Sequence, residues 1–214
     1  DLGDFWVQDG ETMLFIGDSI TDCGRRGEHA PPGNGYVRLF SELATARFPE
    51  RRVRYVNMGI GGNTVVALQE RWQTDVLDQR PDRLSIKIGI NDLGRHLRGD
   101  GSGVGPVRFE EAYDQILSIT AREVGCPVVL ITPFYLSTDR TGRSFESKVL
   151  GLLPEYVAIV EAMSRKHGTR LLNIDDVFQE QLRYRDPSDL APEPVHPHQA
   201  GHMVIANALM ELLA

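Results

Sequence analysis

Cysteine is scarce in this chain, with two residues, Cys23 and Cys126, among 214. Two thiols cannot build a disulfide framework, and no Cys-x-x-Cys pair is present for a structural metal or a redox couple. Both sit beside apolar segments and read as reduced, partly buried thiols, with a single bridge as the alternative. No run of ~18 apolar residues occurs, so no membrane-spanning helix is expected. Basic residues are not in excess either: the formal net charge is −7 and the arginines are scattered, which argues against a nucleic-acid partner. The segment starting at Asp1 is polar and carries no signal-peptide pattern, so a cytoplasmic location is the expectation. Also missing are a Walker Gly-x-x-x-x-Gly-Lys, a helix-opening Gly-x-Gly-x-x-Gly and the Gly-x-Ser-x-Gly elbow of ordinary α/β-hydrolases. No motif calls for a cofactor.

What is present is an ordinary globular composition, 41% apolar and 25% charged, in a length that suits one domain over residues 1–214. Short apolar runs at Met13–Gly17, Val53–Asn57, Leu84–Ile88, Val128–Thr132 and Arg170–Asn173 read as buried strands. Between them lie helical patterns with the i, i+3, i+4, i+7 spacing: Tyr36, Leu39, Phe40 and Leu43; Phe109, Ala112, Tyr113, Ile116 and Leu117; Val149, Leu152, Leu153, Tyr156 and Ile159; and Ile205, Ala208, Leu209 and Leu212. Apolar strands alternating with helices predict a five-stranded parallel sheet covered on both faces, a three-layer α/β/α sandwich. Leu93–Val107, with five glycines, reads as a long loop, either facing substrate or a plain surface excursion. Thr138–Ser144 reads as a shorter loop.

In a parallel sheet the strand C-termini share one edge, and ligands bind in the crevice outside it. Small and polar residues collect after three strands: Gly17-Asp18-Ser19 after the first, Asn57-Met58-Gly59-Ile60-Gly61-Gly62-Asn63-Thr64 after the second, and Gly89-Ile90-Asn91-Asp92 after the third. Glu193-Pro194-Val195-His196-Pro197 precedes the last helix. A serine hydroxyl needs an adjacent base to become a nucleophile, and histidine, titrating near neutrality, is the usual one. A tetrahedral intermediate needs donors where its oxyanion forms; the backbone N–H groups of Ser19 and Gly62 and the Asn91 amide are candidates. A carboxylate such as Glu193 would hold the tautomer of His196. Each residue alone has a bland reading: Ser19 as a helix cap, Asn91 as a turn residue, His196 as a surface residue, and the glycines as tight turns or a phosphate cradle.

Taken together, LFIGDSITDCGR, GGNT, IGIND and VHP-x-x-AGHM resemble the SGNH hydrolase family, a branch of the GDSL esterases, from Leu14 to the last helix. The resemblance implies a flavodoxin-like sandwich and a serine esterase in which Ser19, Gly62, Asn91 and His196 match the four named residues. It also points to the bacterial branch that includes acetylxylan esterases, and so to an acetylated carbohydrate or another small acyl ester as partner. The family includes oligomers, so a homo-oligomer is compatible. The family usually places Asp three residues before the histidine; here Glu193 stands there, with Asp189 or a main-chain carbonyl as the alternatives for orienting His196.

The expected chemistry is a two-step acyl transfer on Ser19. Asp18 and Asp92 read as supports of the loops beside Asn91, and Asn63 and Val195 as pocket residues. Tyr135, after the fourth strand, reads as a pocket wall able to bond a sugar. Arg71 and Trp72 read as packing residues. His196, His198 and His202 are close in sequence, but two prolines and a helix start intervene, so no metal is expected. His198 reads as exposed and His202 as helix packing. The rivals are a broad short-chain esterase, arylesterase or thioesterase and, from another class, a sugar-binding module without chemistry.

Overall fold

The structure, a computed structural model, describes residues 5–214. The amino-terminal residues in which no signal pattern is read begin at Asp1, outside that range. Five strands form one sheet: β1 (Thr12–Gly17), β2 (Arg54–Gly59), β3 (Arg83–Lys87), β4 (Val128–Ile131) and β5 (Arg170–Leu172), in the order β2-β1-β3-β4-β5. Every pairing is parallel. This is the flavodoxin-like order, in which strand direction of travel reverses between β1 and β3. All five expected strands are present, with ends differing by one or two residues.

Among the described residues eight α-helices accompany them, the last two after β5: α1 (Ser19–Asp22), α2 (Tyr36–Arg47), α3 (Val65–Trp72), α4 (Ile90–Arg98), α5 (Pro106–Glu123), α6 (Phe145–His167), α7 (Ile174–Gln181) and α8 (Gln199–Leu213). A single π-turn, Gln73–Leu77, continues α3. Helix α8 packs against α2 and α7, while α5 packs against α3 and α6, and α6 against α4. The sheet is thereby covered on both faces, as its unbroken apolar strands require: Leu14, Phe15, Ile16, Leu84, Ile86, Val129 and Leu130 are all fully buried. Aromatic rings fill the layers. Phe15 meets Tyr36 and Phe40 edge-on at 6.0 and 5.7 Å, and Phe109 packs on Tyr113 and Tyr156 at 5.4 and 4.9 Å. Burying each such side chain stabilises the fold by roughly 1.5–3 kcal/mol.

Two expectations need correction. Leu93–Val107 is not one long loop, because its first six residues complete α4. Ile90, Leu93, Gly94 and Leu97 have the i, i+3, i+4, i+7 spacing of a helix face, and Leu93 is fully buried. The glycine and the basic residues hid that face in the sequence. Gly99, at φ 68°, ends the helix in the left-handed conformation. The remainder is pinned: Val104 N–H donates to the Asp92 carbonyl at 3.3 Å, and Tyr156 Oη donates to the Val104 carbonyl at 2.6 Å. The apolar reading of β3 also passed over Lys87, which is fully buried at the strand's end, 4.9 Å from the Phe134 ring centre. The short loop at Thr138–Ser144 is present as expected. No helix is long and apolar enough to cross a membrane among the described residues.

The helical assignment of Leu93 makes a measurable difference. Leu93→Ala is expected to lower the unfolding free energy by about 2–5 kcal/mol, as a deleted core leucine does. Urea unfolding reads this directly, and a change within about 0.5 kcal/mol, typical of an exposed loop, would refute the packing described.

Candidate active site

The site starts where β1 ends. Asp18 leaves the strand in an extended conformation and caps α1, its carboxylate accepting the Ile20 N–H at 3.0 Å. Ser19 is then the first residue of the helix, and its N–H has no intrahelical acceptor. Helix α1 presses so closely on β2 that a Cβ at Gly59 would lie 2.2 Å from the Asp22 nitrogen, which leaves room only for glycine. After Gly59 the chain turns: Asn63 N–H closes on the Ile60 carbonyl at 3.2 Å. Gly62, at φ 78°, holds the turn position that needs a left-handed residue. Its own N–H takes no part in that closing bond. Gly61 N–H donates to Asp22 Oδ2 at 3.0 Å, tying the turn back to α1.

Asn91 lies in the first turn of α4 rather than in a plain turn. One N–H of its amide donates to the Asn63 carbonyl at 3.1 Å, which fixes the amide's orientation and leaves the second N–H free to donate elsewhere. On the last loop, His196 Nε2 lies 2.8 Å from Ser19 Oγ. Its Nδ1 lies 2.5 Å from Glu193 Oε1. With Nδ1–H donating to the carboxylate, Nε2 is left to accept the Ser19 hydroxyl proton; that tautomer follows from the network. Glu193 also accepts the N–H groups of Val195 (2.9 Å) and His196 (2.8 Å). Of the alternatives for this role, Asp189 sits in a separate 3-10 turn (Pro187–Asp189) with no bond to His196 among the described residues.

Beneath these groups lies buried charge. Lys87 Nζ is 3.5 Å from Asp18 Oδ2, and both side chains are fully buried. Burial pushes the lysine's pKa down, against the pull of Asp18. Asp18 thus supports α1 and Lys87 rather than the loop beside Asn91. Asp92 holds the start of α3, accepting Val65 N–H at 2.9 Å. Burial pushes its carboxyl up to about 7. Glu193 behaves oppositely: burial raises its carboxyl, but the Val195 N–H, the His196 ring and the His196 N–H together hold it below the usual carboxylate range. It is therefore ionised wherever a histidine base is neutral.

The three neighbouring histidines diverge. His196 faces Ser19. His198 is exposed, as expected, and caps α8 by accepting Ala200 N–H. His202 is buried and does more than pack, accepting Tyr36 N–H at 3.2 Å on Nδ1 and meeting Cys23 Sγ at 3.3 Å on Nε2. Burial and the nearby Lys87 push its pKa down to about 4, and burial pushes the Cys23 thiol up to about 12, so both stay neutral. Cys23 and Cys126 are free thiols.

Cavities open beside Asn91 and Glu193 and beside Ser19. One of about 160 Å³ is walled by Ile90, Asn91, Gly94, Arg98, Tyr135, Phe145, Val149, Glu193 and Val195. Tyr135 and Val195 therefore reach the pocket, whereas Asn63 acts through its backbone carbonyl and through its side chain, which accepts Arg71 Nε–H at 2.8 Å. A shallower cavity of about 340 Å³ lies beside Ser19, Asp22, Cys23 and Arg26. Sequence reasoning missed two arginines. Arg71 is not a packing residue but a hydrogen-bond donor to the turn, and Arg95 Nη2 donates to the Gly62 carbonyl at 2.7 Å. Arg95 stands four residues after Asn91, on the same helix face, a signal hidden by reading that stretch as a loop.

Comparison with known proteins gives the chain's relatives. The model of the GDSL-like Lipase/Acylhydrolase family matches residues 15–204. The acetylxylan esterase of Geobacillus stearothermophilus is 35% identical over 211 residues, which cover 95% of this chain and 94% of that protein. The crystal structure of Axe2, an acetylxylan esterase from Geobacillus stearothermophilus, matches with a TM-score of 0.88 at 34% identity, covering 98% of this chain and 96% of that one. LAE5, an alpha/beta hydrolase enzyme from the metagenome of Lake Arreo, Spain, matches with a TM-score of 0.88 at 34% identity over 98% of both chains. Solved catalytic mutants of Axe2 replace a serine, an aspartate and a histidine by alanine. The chain belongs to the GDSL-like lipase/acylhydrolase family.

Proposed function

We propose that this protein is a serine esterase that removes acetyl groups from acetylated xylo-oligosaccharide. The observation that carries the reading is the unbroken line of hydrogen bonds from Ser19 Oγ through His196 to Glu193, at the sheet edge where the Gly62 turn and the Asn91 amide also lie. His196 takes the proton of Ser19 as its oxygen attacks the ester carbonyl. The developing oxyanion is met by the N–H groups of Ser19 and Gly62 and by the free N–H of the Asn91 amide. The alcohol leaves with the proton from His196, and water releases the acetyl group by the same route. Glu193 stays ionised throughout and stabilises the imidazolium. The aspartate and histidine replaced in the catalytic mutants of Axe2 stand three positions apart, as Glu193 and His196 do. The coverage of the acetylxylan esterase by this chain supports the carbohydrate substrate.

A second reading, a broader short-chain esterase, is favoured by one feature. The cavity beside Asn91 measures about 160 Å³, and an engineered cavity of ~150 Å³ takes a benzene ring. That is more room than an acetyl group fills. Activity that persists with chains beyond butyryl would select this reading over acetyl specificity.

Three measurements test the proposal. Acetate release from acetylated xylo-oligosaccharide and from an aryl acetate should occur with the wild type and fall to background in Ser19→Ala. Release from the aryl ester alone would keep the chemistry and discard the sugar. No release from either, with no labelling of Ser19 by a fluorophosphonate probe, would leave a binding module. Asn91→Ala should lower kcat by ~10²–10³, and an unchanged kcat would remove the amide from the oxyanion hole. Glu193→Gln should lower kcat by up to ~10⁴. Near-full activity in that variant would mean that another group orients His196.

A further inference from the structure

Arg71 occupies the last turn of α3, well away from the Ser19–His196 pair in sequence, yet its guanidinium reaches three acceptors on two segments of the site. Its Nε–H donates to Asn63 Oδ1 at 2.8 Å, its Nη1 to the Met58 carbonyl at 2.8 Å, and its Nη2 to the Gly17 carbonyl at 3.2 Å. Nη1 also pairs with Asp75 Oδ2 at 2.5 Å, and the side chain is 14% exposed. Asp75 comes from the π-turn that extends α3 and supplies a counter-charge for the arginine.

The two segments so held, the end of β1 and the turn after β2, carry the Ser19 and Gly62 donors of the oxyanion hole, and the turn also anchors the third, Asn91. Gly17 stands two residues before Ser19 and fixes where β1 releases it; the Gly17 carbonyl also accepts Ile60 N–H at 3.0 Å. Met58 and Asn63 bracket the turn that presents the Gly62 N–H. The Asn63 carbonyl is the acceptor that orients the Asn91 amide. One planar, five-donor group thus ties the positions of three oxyanion donors together. A lysine, a point charge without a fork, cannot reproduce that geometry.

We propose that Arg71 is a positioning residue that sets the geometry of the oxyanion hole without touching substrate. The proposal rests on the esterase reading above. Its effect belongs to the transition state, because donors displaced by a fraction of an ångström still admit the ester but no longer meet the oxyanion.

The test compares wild type, Arg71→Met, Arg71→Lys and Asp75→Asn in aryl acetate hydrolysis, each assayed well below its own thermal midpoint. Inhibition by a small boronic acid, which forms a tetrahedral adduct with a nucleophilic serine, is measured alongside. Arg71→Met and Arg71→Lys are expected to lower kcat by ~10², to leave KM within about twofold, and to lose boronic-acid affinity in step with kcat. Asp75→Asn, which cuts the ion pair but keeps the three bonds to the site, is expected to lower the thermal midpoint and hold kcat within about twofold. If Arg71→Met does not fold, Arg71→Lys carries the comparison. A folded Arg71 variant with wild-type kcat overturns the proposal, and so does an Asp75→Asn whose kcat falls as far as that of Arg71→Lys. A wild type without Ser19-dependent turnover overturns the esterase reading and this inference together.

Discussion

The register at Gly17 governs the site. Gly17 pairs with Gly59 on one side and Lys87 on the other, so the three strands that feed the site end level with one another. A parallel ladder fixes this register because a one-residue slip would turn every buried side chain of β1 to the opposite face. The three strand ends then release their loops at the same height: Asp18-Ser19 from β1, the Gly59–Asn63 turn from β2, and Gly89 with α4 from β3. Brought level, the loops can bond to one another. Gly61 N–H reaches Asp22, the Asn91 amide reaches the Asn63 carbonyl, and Ile60 N–H reaches the Gly17 carbonyl. The fourth participant, the loop carrying His196, is joined to the β4 edge by Leu136 N–H donating to the Pro194 carbonyl at 2.8 Å.

The same crowding explains the unusual electrostatics below the serine. A cap carboxylate at Asp18 has to sit where α1 meets the sheet, and there it is fully buried. An unpaired buried carboxylate is costly, so a counter-charge is needed within the core. Lys87 supplies it from the neighbouring strand, and the adjacent Phe134 ring offers its face to the ammonium. Asp92 makes no ion pair among the described residues. One of its oxygens holds Val65 N–H, while the other is buried without a hydrogen bond among the described residues. Burial answers by raising its pKa rather than by pairing it. Two carboxylates one strand apart thus reach opposite solutions: Asp18 is paired, and Asp92 is pushed toward the neutral form.

The strands, the sandwich and the residues facing Ser19 were legible because they depend on short-range rules. Apolar runs mark buried strands, and parallel strands bring their C-terminal loops to one edge. The residues that escaped act through contacts that periodicity does not encode. Lys87 sits inside an apolar strand, where its burial depends on Asp18, sixty-nine positions earlier in the chain. Arg71 falls on a helix face beside Trp72, a packing residue, and only the folding of the Gly59–Asn63 turn brings it to three backbone and side-chain acceptors. Helix α4 was obscured because glycine at position 94 and charged residues around it weaken the apolar signal, although the spacing of Ile90, Leu93 and Leu97 carried it. Arg95 was lost with the helix. The residues that meet at Ser19 were visible from motif and position; those that hold them in place became visible only with the tertiary contacts.

Glu193 shows how a departure from a family pattern is absorbed. Glutamate is one methylene longer than aspartate, and from an extended loop its carboxylate would overshoot an imidazole three residues away. Here the side chain folds back over its own loop, where Oε2 accepts Val195 N–H and Oε1 accepts both His196 N–H and the imidazole Nδ1–H. The extra reach is spent on closing a turn. The cost of such closure is the rotamer freedom of a long side chain, and it is lowered by a loop already stiffened by Pro192, Pro194 and Pro197. Two backbone donors and one ring donor converging on one carboxylate also keep it ionised despite partial burial. The longer acid is therefore held by the loop it bonds to, and the orientation of His196 toward Ser19 depends on the turn it closes.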